Sequence, residues 1–158
     1  MILAIDPSNT RHAWALLDGT PSDPILCDFG RDLCALSEWH KMPGEKCVEQ
    51  IASYGLAAGA HLFDTCVEIG KLMAAWPDAK RLTRIEVKRL VCRSTSARDP
   101  HVRQAVIDRF GGPQSIRKGG QLYRVSKDVW AAIAVGLAAM EPDAKWYVPV
   151  ANRAVDKT

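Results

Sequence analysis

Short apolar runs separated by turn residues fill the first third of the chain. They predict three strands, at residues 1–5, 12–18 and 25–29, and the first two are predicted to form a hairpin. Helical spacing follows over residues 32–40, and a fourth strand is predicted at 46–51.

The rest of the chain alternates between helical and strand patterns. The predicted elements are a long helix (56–76), a strand (81–85), a short helix (86–92), a helix that starts at Asp99-Pro100 and ends at Gly111, a basic loop (114–125), a last helix capped by Ser126 that runs to Met140, and a strand-like piece (146–150). The last helix is rich in alanine and includes Gly136, which permits close approach to a sheet. We therefore predict an α/β fold with a mixed five-stranded sheet, three strands antiparallel and then two parallel, and helices on both faces.

Composition places the chain among globular proteins. Its 158 residues are 47% hydrophobic and 25% charged, which fits one domain over 1–158 and excludes a disordered or fibrous class. Its apolar stretches are shorter than the ~20 residues of a membrane helix. The chain starts with a strand-like run in place of a signal peptide, so we expect a cytoplasmic protein. Five cysteines without a Cys-x-x-Cys pair are expected to be mostly buried thiols.

Charge is strongly polarised along the chain. Residues 80–127 contain thirteen basic and three acidic side chains, a net charge of +10, so the remaining residues carry −7. A basic face of this kind suits a polyanion such as nucleic acid, because neutralising phosphates releases counterions. A merely solvated basic face is the alternative.

Three carboxylates are expected to converge at one edge of the predicted sheet. Asp6 closes the first strand, Glu49 lies in the fourth, and Asp128 begins the last helix, positions where ligands bind in α/β sheets. Carboxylates without histidine or thiolate partners suit Mg²⁺ or Mn²⁺. Three structural roles remain open: a turn at Asp6, a salt bridge from Glu49 to Arg84 or Lys46, and a helix-start charge at Asp128.

The order of these acids resembles that of the RuvC-type Holliday-junction resolvases, particularly their phage-encoded relatives. The similar blocks are Ile2-Leu3-Ala4-Ile5-Asp6-Pro7-Ser8, Val48-Glu49-Gln50, Tyr54-Gly55-Leu56-Ala57-Ala58-Gly59, Glu86-Val87-Lys88-Arg89 and Lys127-Asp128-Val129-Trp130-Ala131-Ala132-Ile133-Ala134. Ser8 replaces the glycine of the family's Asp-Pro-Gly.

The resemblance, over residues 1–141, implies an RNase H-like fold and a homodimer. It also implies two Mg²⁺ or Mn²⁺ ions per active site, held by Asp6, Glu49 and Asp128, that activate water for phosphodiester hydrolysis in four-way or branched DNA. The expected activity is that of a crossover junction endodeoxyribonuclease. A non-catalytic protein that binds branched DNA, and an RNase H-fold nuclease acting on RNA, are the alternatives.

Position 131 departs from the family pattern. The family has two acids three residues apart on the last helix, and here Asp128 is followed at that spacing by Ala131. Residues i and i+3 share a helix face, so a carboxylate at 131 would point to the same ion. We interpret Ala131 as the replacement of an acid, deliberately introduced to give an inactive form; an alanine natural to this position, which would need another ligand, is the alternative.

Several further residues are predicted to bind DNA. Phosphate contacts are expected from Lys88, Arg89, Arg93, Arg98, Arg117 and Lys118. Tyr54 is a candidate for stacking on an unpaired base, with a core position as the alternative. The helix over 56–76, with Gly55 and Gly59 before and within it, is the candidate dimer interface.

Overall fold

The computed structural model describes residues 1–32, 41–52 and 59–149. Within them the elements are β1 (Ile2–Asp6), β2 (His12–Thr20), β3 (Asp23–Asp32), β4 (Glu45–Gln50), α1 (Ala60–Ala75), β5 (Lys80–Thr83), α2 (Arg84–Cys92), α3 (Asp99–Arg109), a 3-10 turn (Gly112–Gln114) and α4 (Val129–Met140). The helix predicted over 32–40 falls almost wholly outside the described residues, as do Tyr54, Gly55 and the first residues of the predicted helix 56–76.

The five strands form one mixed sheet in the order β3-β2-β1-β4-β5. The β1–β2 and β2–β3 pairs are antiparallel, and the β1–β4 and β4–β5 pairs are parallel. This confirms the predicted α/β fold and its strand directions.

Helices cover both faces of the sheet, as predicted. Alternate residues of β1 divide between two buried clusters, because side chains point to opposite faces along a strand. Ala4 packs on the side of α2, α3 and α4, whereas Leu3 and Ile5 pack with Leu72 and Trp76 at the end of α1. The interior of β1 is therefore apolar on both of its faces.

Helix α4 packs close against the sheet at Gly136. A Cβ atom on Gly136 would stand 2.4 Å from Leu17 Cδ1 and 3.2 Å from the Ala4 Cβ. On this face the strands carry the small residues Ala4, Ala13 and Ala15, which are all fully buried. The close approach expected from the small residues of the last helix is present.

Several predicted boundaries were wrong. Ser126 does not cap α4, which begins at Val129 after a turn in which the Val129 N–H donates to the Ser126 carbonyl at 3.2 Å. Helix α2 begins at Arg84 instead of 86, because the Thr83 hydroxyl accepts from the Glu86 N–H and ends β5 there.

The tail and the cysteines also differ from expectation. Residues 146–149 form no strand, although the Tyr147 N–H donates to the Arg81 carbonyl at 2.8 Å. Of the four described cysteines Cys47 alone is buried, and Cys27 and Cys66 are exposed. Among the described residues no helix is long and apolar enough to cross a membrane.

Candidate active site

The pairing of β1 with β4 brings Asp6 and Glu49 together. Ile5 is the register partner of Val48, so Asp6 and Glu49, the next residue on each strand, are neighbours. Ile5 and Val48 face the α1 side, and the strand alternation turns both carboxylates to the α4 side. Their meeting follows from two parallel strands that end at the same edge.

The start of α4 completes the group. Asp128 occupies the position before the first helical residue, and Ala131 lies in the first turn. The Asp128 carboxylate accepts a hydrogen bond from Arg31 Nη2 at 2.6 Å, in an ion pair that joins α4 to β3.

These residues line one pocket of about 220 Å³. It contains four carboxylates, two cationic side chains and the alanine: Asp6, Glu49, Asp99, Asp128, Arg84, Lys127 and Ala131. The three predicted acids and Ala131 therefore share one site.

Arg84 pairs with Glu49, as one of the structural alternatives supposed. Its Nη1 donates to Glu49 Oε2 at 3.3 Å and its Nη2 to Asp99 Oδ1 at 2.7 Å. The other candidate partner, Lys46, donates instead to the carbonyls of Met42 and Gly44. Arg84 thus links two carboxylates of the pocket.

Burial in the pocket disfavours the ionised form of its carboxyl groups. The pKa of Asp6 is raised well above its ordinary value, first by burial and then by the neighbouring Glu49 charge, against which Arg84 acts. Burial also raises the pKa of Glu49, and Arg84 opposes that shift. The pocket therefore favours a bound cation, since a cation would relieve both shifts.

The donor chemistry fits Mg²⁺ or Mn²⁺, because every acidic ligand of the pocket offers oxygen. The Asp6 carboxylate takes part in none of the side-chain hydrogen bonds or ion pairs between described residues. As the side chains stand, no three His, Cys, Asp or Glu among the described residues form a ready metal group. Arg84 and Arg31 each occupy one oxygen of these acids, Glu49 Oε2 and Asp128 Oδ2.

The predicted DNA-binding residues occupy different environments. Lys88 lies near the pocket and lowers the pKa of Glu49, whereas Arg89 donates to Glu86 and to Asp143. Arg93 is exposed at the end of α2, 3.6 Å from Glu141. Arg98, Arg117 and Lys118 are exposed around α3 and the loop after it. Tyr54 lies outside the described residues.

Sequence reasoning missed two groups of the pocket, Asp99 and Lys127. Asp99 looked like the acid that favours a helix start, and Lys127 like one of many basic residues. The sequence signal for Lys127 is its place directly before Asp128. In the structure its backbone has φ 50°, a left-handed conformation uncommon for residues other than glycine.

Comparison with solved structures shows that the fold is similar to that of RuvC. RuvC of T. thermophilus in complex with a Holliday junction substrate matches with a TM-score of 0.67 and 14% sequence identity, over 88% of this chain and 92% of that chain. A second Thermus thermophilus RuvC structure matches with a TM-score of 0.61 and 16% identity, over 87% and 91%. Comparison with protein-family models and with curated proteins gives no match.

Proposed function

We propose that this chain is a metal-dependent, structure-selective endonuclease that resolves Holliday junctions or related branched DNA by paired phosphodiester hydrolysis. One observation carries the proposal: Asp6, Glu49 and Asp128, the acids that the sequence resemblance selects, line a single pocket of a RuvC-like fold. The solved RuvC with a Holliday junction substrate supports branched DNA as the substrate class. The enzyme acts in the cytoplasm, that of a bacterial host if the chain is phage-encoded.

The chain's own residues have distinct roles in this proposal. Asp6, Glu49 and Asp128 hold Mg²⁺ or Mn²⁺, with two ions per site in the complete form of the family pattern. When bound, such ions activate water and stabilise the leaving oxygen. Arg84 and Lys127 place positive charge at the pocket, where a scissile phosphate brings negative charge.

A homodimer through α1 is part of the proposal. Phe63 and Val67 lie four residues apart on α1 and are 62% and 57% exposed, so they share an apolar face. Gly59 and Gly70 at this helix have open space around them. A second copy is the occupant we infer, because paired nicks in a two-fold symmetric junction need two active sites related by the same symmetry.

Cleavage assays test the proposal. A synthetic four-way junction, the matching linear duplex and an RNA duplex are incubated with the protein and Mg²⁺ or Mn²⁺. We expect symmetrical nicks in the junction from Ala131→Asp, little or no cutting by the parent, which lacks that carboxylate, and none with Asp6→Asn. Preferential cutting of RNA or of the linear duplex would overturn the junction specificity.

Ala131 favours a second candidate, a protein that binds branched DNA without cutting it. The alanine leaves Asp128 without the second carboxylate of the family pair, and Arg31 already neutralises Asp128. Junction binding with no cleavage under any divalent ion, both in the parent and in Ala131→Asp, would support this candidate.

A further inference from the structure

Asp99 lies in the same pocket as the three predicted acids, although it belongs to a different element. It is the first residue of α3, and it lines the pocket with Asp6, Glu49 and Asp128. Its charge acts on two of them, because it contributes to the raised pKa of both Asp6 and Glu49. Asp99 is therefore part of the acidic group in space.

Asp99 stands in the first turn of α3, where its charge suits the helix dipole, but its side chain caps no backbone N–H of the helix. The residue that caps α3 is Arg98, whose N–H donates to His101 Nδ1 at 3.1 Å, so Asp99 makes no side-chain cap of the helix. Its side chain is 82% exposed, which leaves it free to change partners at small cost.

Arg84 shows that a cation already binds between Asp99 and Glu49. One guanidinium group donates 2.7 Å to Asp99 Oδ1 and 3.3 Å to Glu49 Oε2. Carboxylates from β4 and from α3 thus approach a single positive group from two sides. Because the two carboxylates bond different nitrogens of the guanidinium, a smaller divalent ion that displaces Arg84 contacts both only when the exposed Asp99 side chain moves toward Glu49.

We propose that Asp99 is an additional carboxylate ligand of the divalent cation in this pocket, on the side of Asp6 and Glu49. The inference rests on the proposed function, since it concerns the same metal site. With Asp99 as a ligand, one ion has three carboxylates, Asp6, Glu49 and Asp99, even though position 131 is alanine. The second ion lies beside Asp128, and its binding is the one that Ala131 weakens.

Metal binding by the full chain tests this directly. Mn²⁺ affinity and stoichiometry are measured by calorimetry and by the Mn²⁺ electron paramagnetic resonance signal for the parent, Asp99→Asn and Asp108→Asn. Asparagine keeps an oxygen acceptor for Arg84 but removes the charge. Asp108 is the matched control, since it is an exposed aspartate on the same helix, bonded to Gln104.

We expect Asp99→Asn to weaken Mn²⁺ binding by at least about 10-fold, the loss caused by removing even an outer partner of a metal ligand. Asp108→Asn should bind as the parent does, and Asp99→Glu should recover part of the loss. Equal affinity in Asp99→Asn and Asp108→Asn would overturn the inference.

Junction cleavage by Ala131→Asp, measured beside Mn²⁺ binding, separates this inference from the proposed function. If Ala131→Asp cuts junctions and Asp99→Asn keeps full Mn²⁺ affinity, the inference fails and the nuclease stands. If Mn²⁺ binding depends on Asp99 and Ala131→Asp cuts no junction, the metal site stands and the nuclease function fails. A parent that binds no Mn²⁺ overturns both.

Discussion

Asp6 is the residue at which function and stability oppose each other most directly. Its pKa is raised well above the ordinary value of 3.8, so the ionised carboxylate opposes folding when no cation is bound. We predict that Asp6→Asn raises Tm at pH 7 in buffer with a chelator. A gain of about 1 kcal/mol corresponds to about 2–4 °C for a chain of this size.

The pH dependence of this effect has a definite sign. Below the ordinary pKa both the folded and the unfolded chain carry a protonated Asp6, and the penalty vanishes. It grows as pH rises from the ordinary to the raised pKa, and it is complete above the latter. Melting curves between pH 4 and 8 should therefore show the parent and Asp6→Asn diverging as pH rises. A parallel shift at every pH, or the same gain in Asp64→Asn on the exposed side of α1, would contradict this.

Position 131 is a separate prediction, retained from the sequence. Ala131 lies in the first turn of α4 and is partly exposed, so an aspartate there fits the helix dipole and faces the pocket. We expect Ala131→Asp to bind a second Mn²⁺ and to restore the Mg²⁺-dependent cutting of four-way junctions that the parent lacks. Junction binding without cutting in this variant would dismiss the interpretation of Ala131 as a replaced acid.

The residues of the candidate site that lie on strands were predictable from the sequence. Asp6 and Glu49 stand at the ends of apolar runs, and parallel pairing brings such ends together. Asp99 was not predictable, because its place depends on how α3 packs over the sheet, which periodicity does not encode. Arg84 was foreseen as a partner of Glu49, whereas its second bond to Asp99 needed the structure.

Among the elements, the contact between α4 and the sheet depends on a single missing side chain. A Cβ atom at residue 136 would fall against Leu17 and Ala4, both fully buried, so neither gives way easily. We predict that Gly136→Val destabilises the fold by about 1–3 kcal/mol, the usual cost of overpacking. Chemical denaturation measures this, with Gly136→Ala expected to cost less; a stability equal to the parent's for the valine variant would refute the close approach.

The exposed face of α1 gives a second prediction about an element. A charge at Phe63 costs little in the isolated chain, because the side chain is 62% exposed. In a dimer through α1 the glutamate charge would be buried in the apolar interface. We therefore expect Phe63→Glu to weaken the free energy of dimer association by at least about 2 kcal/mol, as for a central interface residue. Sedimentation should show dimer for the parent and monomer for Phe63→Glu. Ile116→Glu, at an exposed residue outside α1, is the control, and an unchanged dimer in Phe63→Glu would exclude this interface.

The elements themselves were largely readable from the pattern, and their ends were not. Short runs with apolar residues at their centres predicted all five strands, because those residues are the ones that pack into the core, as Cys47, Val48 and Leu82 do. The starts of α2 and α4 were misplaced because each is decided by one local hydrogen bond, at Thr83 or Ser126. The piece at 146–150 is apolar like a strand, yet Tyr147 makes only a single backbone bond beside β5.

Across the molecule, part of the basic charge of residues 80–127 is neutralised internally. Arg109 donates to Glu141 at 2.7 Å and to two backbone carbonyls, and Arg89 is bonded to Glu86 and Asp143. Arg117 and Lys118 are exposed on the loop after α3. The charge count of the sequence therefore overstates the charge available to DNA.

This division predicts different results for Arg117→Ala and Arg89→Ala in junction binding. Each phosphate contact contributes about 0.9 to the slope of log K against log salt concentration, so Arg117→Ala or Lys118→Ala should lower the slope by about that amount. Arg89→Ala leaves the buried Glu86 carboxylate without its arginine, so we expect it to cost about 1–3 kcal/mol of stability and to change the slope little. Fluorescence anisotropy over a range of about 50 to 300 mM salt gives the slopes, and denaturation gives the stabilities. An unchanged slope in both Arg117→Ala and Lys118→Ala would show that this loop does not contact DNA. A reduced slope in Arg89→Ala with unchanged stability would show that Arg89 leaves its ion pairs to bind phosphate.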